Sequence, residues 1–206
     1  MNKHWLTRQS SDKLTLVFGG WGLGPAPFLG LAGDQDVLVV DNYTCIEDPL
    51  TETKDYQSVR LLAFSYGVAS AAHWLSRFGL KPDRSVAVNG TLYPVDKRKG
   101  IAPNVFTATV EGLSDESFAL FCRRAGHPDL PPVIDVLAAQ AELRAIAARG
   151  PASTFAFDRV WISDRDRIVP ASAQIAAWET HLNAVRHISA PHQPFRAGQA
   201  WQEWFD

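Results

Sequence analysis

An apolar run, Val59 to Phe64, turns at Ala63-Phe64-Ser65-Tyr66-Gly67 directly into the small-residue stretch Val68-Ala69-Ser70-Ala71-Ala72. A serine on such a strand-to-helix turn is a nucleophile elbow, and the chemistry it serves is attack of an activated alcohol on an acyl carbon. The sharp backbone needs small neighbours two residues to either side, here Gly67 and Ala63, the latter standing where glycine is usual. Amide N–H groups at the start of the following helix face the reacting oxygen and favour the negative charge that develops there. Ser65 is therefore the expected nucleophile.

A serine hydroxyl is a weak nucleophile at neutral pH, so a base must take its proton and an acid must hold that base in the right tautomer. Trp161 to Pro170, WISDRDRIVP, reads as a strand ending in an acidic loop. Asp166 is the preferred acid because Val169-Pro170 closes the turn and starts the next helix; Asp164 is held in reserve. Both could instead only neutralise Arg165 and Arg167 on a solvated loop. Of the six histidines, His192 alone lies beyond the last strand candidate, between Pro191 and Pro194 and ahead of Phe195. His187 falls within that strand, His73 and His181 on helices, His4 near the start and His127 in an inserted segment. Serine, then aspartate, then histidine is the chain order in which folds with nucleophile elbows place their triads.

The oxyanion of the tetrahedral intermediate needs donors, and Phe18-Gly19-Gly20-Trp21-Gly22 leaves the first buried strand at the right place to give one. Its glycines allow close approach to the elbow, so that the N–H of Trp21 joins that of Tyr66 at one oxygen, with the indole walling the acyl site. A dinucleotide-binding turn is the competing reading, since Val37 to Asp41 resembles a ribose-binding second strand. The spacing excludes it: no G-x-G-x-x-G fits Gly19, Gly20, Gly22 and Gly24, Trp21 fills the approach to a pyrophosphate, and Pro25 and Pro27 interrupt the helix start.

These groups need a sheet to hold them. Val37–Val40, Val59–Phe64, Ser85–Val88, Arg159–Ile162 and Val185–Ile188 are short strand candidates separated by stretches of helical length, which predicts a mainly parallel sheet with helices on both faces. The chemistry of such sheets gathers beyond the carboxyl ends of the strands. His4–Thr7 and Leu14–Phe18 flank Ser10-Ser11-Asp12 and predict an opening hairpin. Between Thr91 and about Ala156 the alternation stops. A Pro- and Lys-rich loop and two helix candidates, the first N-capped by Ser114 and ending at Arg123 and Arg124 ahead of Gly126, the second near 133–148, predict a small cap at about 92–156 within one domain of residues 1–206.

At 206 residues, 46% hydrophobic and 20% charged, the chain can bury one sizeable core. A formal net charge of −2 offers no basic face for nucleic acid. The opening lacks a secretory signal and no run approaches the roughly 18 apolar residues of a membrane span, so a cytoplasmic protein with no membrane partner is expected. Cys45 and Cys122 cannot build a disulfide framework or a zinc site and are expected to be reduced, packed thiols.

With FGGWG, AFSYG, DRDRIVP and APHQPF in this order, the chain resembles the α/β hydrolases. Asn89 to Val95 (NGTLYPV), Gly100-Ile101-Ala102-Pro103, the Phe106-to-Arg124 run ending in FCRRAG and the short length make it similar to the small pimeloyl-carrier-protein methyl ester esterases of biotin synthesis, the BioG type. The resemblance implies that Ser65 attacks a methyl ester at the far end of a pimeloyl chain held on acyl carrier protein and releases methanol. It makes Trp21 and Tyr66 the oxyanion donors and Asp166 and His192 the acid and base. It also implies a basic face for the acidic carrier, for which Lys97, Arg98, Lys99, Arg123 and Arg124 are the available clusters. Seven acidic residues, Asp129 among them, balance the seven basic ones of this region, as a merely solvated face would also do.

The expected activity is thus hydrolysis of a carboxylic ester through an acyl-serine, with neither metal nor organic cofactor. A thioesterase or carbon–carbon bond hydrolase could use the same triad. A non-catalytic acyl-carrier-binding module stands further off.

Overall fold

The computed structural model describes residues 1–127 and 130–206, so Pro128 and the acidic charge counted at Asp129 lie outside the described residues. Seven strands, β1 (Asn2–Thr7), β2 (Lys13–Phe18), β3 (Asp36–Asp41), β4 (Ser58–Phe64), β5 (Arg84–Val88), β6 (Arg159–Ser163) and β7 (Val185–Ile188), form a sheet in the order β1-β3-β2-β4-β5-β6-β7. All neighbours from β3 to β7 are parallel. The strands expected from valine- and isoleucine-rich runs agree with these to within a residue or two at either end.

The predicted opening hairpin is not there. Residues 4–7 do not pair with 14–18; β1 runs antiparallel beside β3, with Asn2 opposite Asp41 and His4 opposite Val39, while β2 lies between β3 and β4. The burial of β2 explains the choice: Leu14 to Phe18 are covered on both faces, as in a central parallel strand, whereas β1 has exposed and half-exposed side chains and takes the edge.

Alternation along the strands divides the core in two. Leu14, Leu16, Phe18, Leu38, Val40, Leu61 and Ala63 face α1 (Gly67–Phe78), whose Ala71, Ala72, Trp74 and Leu75 recur at helical spacing. Val17, Val37, Val39, Leu62, Phe64, Val86 and Val88 face the opposite way, toward α6 (Trp201–Phe205) and side chains of the segment between β5 and β6. Gly79 ends α1 in the left-handed conformation, at φ 72°.

Among the described residues three helices, rather than two, stand between β5 and β6: α2 (Pro103–Glu111), α3 (Asp115–Ala125) and α4 (Val136–Arg149). Helix α2 opens on Pro103, whose missing N–H costs nothing at a first turn. Helix α3 has the expected ends: Ser114 accepts from the Ser117 amide, Asp115 and Glu116 occupy the first turn, and Gly126 closes the last at φ 83°. Helix α4 begins later than 133 because the Asp135 carboxylate caps it, accepting from Ala138 N at 3.0 Å. After β6 comes α5 (Ala171–Ala177), opened by Pro170. Among the described residues no helix is long and apolar enough to cross a membrane. Cys122 is buried, which pushes its thiol up to about 11, whereas Cys45 is exposed rather than packed.

Candidate active site

Ser65 is the first residue beyond β4 and sits at φ 57°, a left-handed conformation that a non-glycine residue adopts at a cost of about 1–3 kcal/mol. The surroundings enforce it. Ser65 N donates to Val88 O on β5 at 3.0 Å, and Val68 N donates back to Ser65 O at 3.1 Å as α1 begins. Gly67 lies against the carbonyl oxygens of Phe18 and Gly19 so closely that a Cβ has no room, and Gly90 presses in the same way on Ser65 O. The small residue after the elbow is thus required by β2 and its outgoing loop.

The three loops that leave β4, β6 and β7 at their carboxyl ends bring Ser65, Asp166 and His192 together. His192 Nε2 stands 2.9 Å from Ser65 Oγ, and His192 Nδ1 stands 2.8 Å from Asp166 Oδ2. Since an ionised carboxylate only accepts, the network assigns the ring proton to Nδ1 and leaves Nε2 free to accept from the Ser65 hydroxyl. The side chains of His192 and Asp166 are 1% and 0% exposed. Asp166 is held in place by Ile168 N and Val169 N, which donate to Oδ1 at 2.8 and 2.9 Å, and by Gln174 Nε2, which donates to Oδ2 at 2.9 Å. The imidazole packs on Phe64 with ring centroids 5.0 Å apart, and Phe195 closes the loop against Phe64 and Phe28. Asp164, the reserve acid, is on the surface instead, accepting from His187 Nδ1 at 2.9 Å.

Trp21 and Tyr66 both line the space in front of Ser65. Gly20 makes the approach possible: a Cβ there would be 2.8 Å from the Phe64 ring and 3.4 Å from Ser65 Cβ. Among the described residues, neither the Trp21 nor the Tyr66 amide donates a hydrogen bond within the chain. The Trp21 indole donates to Ala139 O on α4 at 3.2 Å and meets Phe118 and Phe121 edge to face, at 5.7 and 5.2 Å.

Ser65 opens into a cavity of about 450 Å³. Its walls are Trp21 from the β2 loop, Phe106 and Leu113 from α2 and its exit, Phe121 from α3 and Leu143 from α4. Two cations line it while remaining exposed, Arg124 and Arg167. Of the clusters named from sequence, therefore, only Arg124 reaches the cavity. Lys99 is paired with Glu179 at 2.9 Å and stands over the Tyr93 ring, and Lys97, Arg98 and Arg123 are exposed elsewhere. Arg167 escaped notice because the sequence offered it as a counter-charge for the acidic loop. Asn89 and Gln174, buried beside the triad, carried no signal as isolated amides. Among the described residues no three His, Cys, Asp or Glu side chains gather as a metal site requires.

The same architecture recurs in solved structures of low sequence identity. The lipase-esterase related protein of Clostridium acetobutylicum is 12% identical with a TM-score of 0.64, over 93% of this chain and 92% of that one. The fold is that of the α/β hydrolases. More narrowly, BioG from Haemophilus influenzae is 27% identical with a TM-score of 0.88 over the whole of both chains. The family model of the pimeloyl-ACP methyl esterase BioG matches residues 1–130, and the chain belongs to this family of carboxylic ester hydrolases of biotin biosynthesis. It is also 29% identical over 189 residues to a malonyl-[acyl-carrier protein] O-methyltransferase of Bacteroides fragilis. That match takes in 86% of this chain but only 39% of the methyltransferase's length.

Proposed function

We propose that Ser65, His192 and Asp166 act as a catalytic triad that removes the methyl ester from a pimeloyl chain carried on acyl carrier protein. The observation that carries this reading is the Ser65–His192–Asp166 relay, with both hydrogen bonds under 3 Å, opening into the cavity beneath α2, α3 and α4. His192 Nε2 takes the Ser65 proton as Oγ attacks the ester carbonyl, and Asp166 stabilises the imidazolium. The developing oxyanion is met by the free amides of Trp21 and Tyr66, each worth about 3 kcal/mol of barrier when pre-aimed. Collapse breaks the acyl–methoxy bond, His192 returns its proton to the leaving oxygen, and methanol departs. Water activated by the same imidazole then releases the free carboxylate and restores Ser65.

Residues of about 92–156 are read as a cap on a single domain of residues 1–206, whose helices supply the apolar wall along which the acyl chain lies. Arg124 and Arg167, exposed on the cavity lining, suit the phosphate of the carrier's prosthetic arm or the acidic carrier itself. Lys97, Arg98, Lys99 and Arg123 are outlying contacts at best, Lys99 being already paired. The test compares wild-type and Ser65→Ala protein on carrier-linked pimeloyl methyl ester, on the matching thioester and on short esters. Preferred cleavage of the carrier-linked methyl ester, lost in Ser65→Ala, supports the reading; a preference for the thioester, or equal rates on carrier-linked and short esters, removes the carrier-specific part of it.

A further inference from the structure

Asn89 and Gly90 head the segment NGTLYPV noted in the sequence; Gly90 supports the elbow from below, and Asn89 has no part in the chemistry above. Asn89 is the first residue beyond β5, is 0% exposed and adopts φ 48°. Its Nδ2 donates to the carbonyl of His192 at 2.6 Å and to Ser163 Oγ at 2.8 Å, while its Oδ1 accepts from Ser163 N at 2.7 Å. Ser163 ends β6, and its carbonyl accepts from Asp166 N at 3.2 Å. One residue before Asn89, Val88 O accepts from Ser65 N; one residue after, Gly90 packs on Ser65 O. A single three-residue segment thus touches the strand ends or loops that carry the nucleophile, the acid and the base.

We infer that Asn89 is a positioning residue which fixes the His192 loop to the Asp166 loop, so that the imidazole meets Ser65 and Asp166 at once. This rests on the reading of those three residues as the catalytic triad. The ring of His192 is fixed at its two nitrogens only if its backbone is fixed as well; Gln193 N holds the loop to Ala125 O at 2.7 Å, and Asn89 ties the His192 carbonyl itself to the carboxyl ends of β5 and β6. Two donors and one acceptor on a side chain short enough to serve adjacent loops, at a left-handed backbone position, describe asparagine closely. Aspartate has the size but turns an acceptor toward the His192 carbonyl; glycine has the backbone freedom but no donor.

The test uses Asn89→Asp and Asn89→Gly in the full chain, with short-ester hydrolysis, fluorophosphonate labelling of Ser65 and the NMR resonance of the His192 Nδ1 proton as readouts. In each folded variant kcat is expected to fall about 100-fold, as for a misplacement near 1 Å, with KM held within about twofold. The labelling rate falls in parallel and the deshielded Nδ1 proton resonance of the wild type broadens or disappears. A purely structural role lowers the melting temperature while leaving kcat, labelling and that resonance alone, and this result in either folded variant overturns the inference. Should neither variant fold, Ser163→Ala takes one acceptor from Asn89: a fall in kcat of about tenfold at constant KM supports it, and wild-type turnover overturns it. Wild-type protein that fails to label at Ser65 defeats the triad itself, whereas labelling at one rate in wild type and variants defeats only the role of Asn89.

Discussion

Glu142 lies on α4, is 8% exposed and accepts a hydrogen bond from the Tyr43 amide at 2.9 Å. Arg149, two turns further along the same helix, donates to the Tyr43 carbonyl. The Tyr43 hydroxyl in turn sits 2.8 Å from Gly19 O and 3.1 Å from Val40 O, at the root of the segment leading to Trp21. Burial, reinforced by the charge of Asp41, pushes the Glu142 carboxyl up to about 7 from an ordinary 4.5, although the Tyr43 amide and Arg149 favour its ionised form. A rise of this size places roughly 3 kcal/mol on the ionised folded state. Between pH 4.5 and about 7 the folded chain holds a proton that the unfolded chain has released, so stability from this group falls as pH rises through that window. Glu142→Gln mimics the protonated form at every pH. Urea denaturation is expected to give wild type and variant similar stabilities near pH 4.5, diverging until the variant is the more stable by about 3 kcal/mol at pH 8, or on the order of 10 °C in melting midpoint. Taking the difference between the two proteins removes the titration of other groups. Curves that stay parallel across the window, or a variant that loses stability at pH 8, would refute the assignment.

Asp166→Asn is expected to fold while kcat drops by about 10³–10⁴, because an amide no longer enforces the Nδ1–H tautomer; a short-ester assay at constant protein stability checks it. Gly20→Ala puts a methyl group against the Phe64 ring and Ser65 Cβ, and its expected signature is a fall in kcat larger than the rise in KM, measured with active-site titration to count competent enzyme. Reversing Arg124 and Arg167 together to Glu should raise KM for the carrier-linked ester by about tenfold at low salt, the sum of two exposed charge contacts of up to about 1 kcal/mol each, while KM for short esters moves far less. Equal effects on both substrates would show that the two arginines serve the cavity rather than the carrier.

Much of the candidate site was legible because its residues punctuate strongly patterned segments, whose loops the fold brings together. The elbow could be read at Ser65 since a buried strand and a small-residue helix meet there, and the Asp166 and His192 loops follow strands rich in valine and isoleucine. Strand existence was clear, but strand neighbours were not: residues 2–7 and 13–18 look like the arms of a hairpin, and only the complete burial of β2 sends β1 to the far side of β3. Helix α2 was missed because its apolar stripe, Phe106 and Val110, spans little more than one turn behind a proline that reads as a breaker in isolation. Asn89, noted only as part of NGTLYPV, and Gln174 gave no sign of their roles for a different reason. An amide side chain has no pattern in sequence, and its meaning arises only when separate strand ends supply its partners.

The most direct measurement is intact-protein mass spectrometry after treatment with a fluorophosphonate, with peptide mapping of the adduct and turnover of pimeloyl-carrier methyl ester followed in the same samples. The expected result is one adduct per chain, on Ser65, with activity lost in step with labelling, and neither adduct nor activity in Ser65→Ala or His192→Ala protein. Full methyl ester turnover by a folded Ser65→Ala chain, or labelling that leaves activity intact, would contradict the triad on which the proposed function stands.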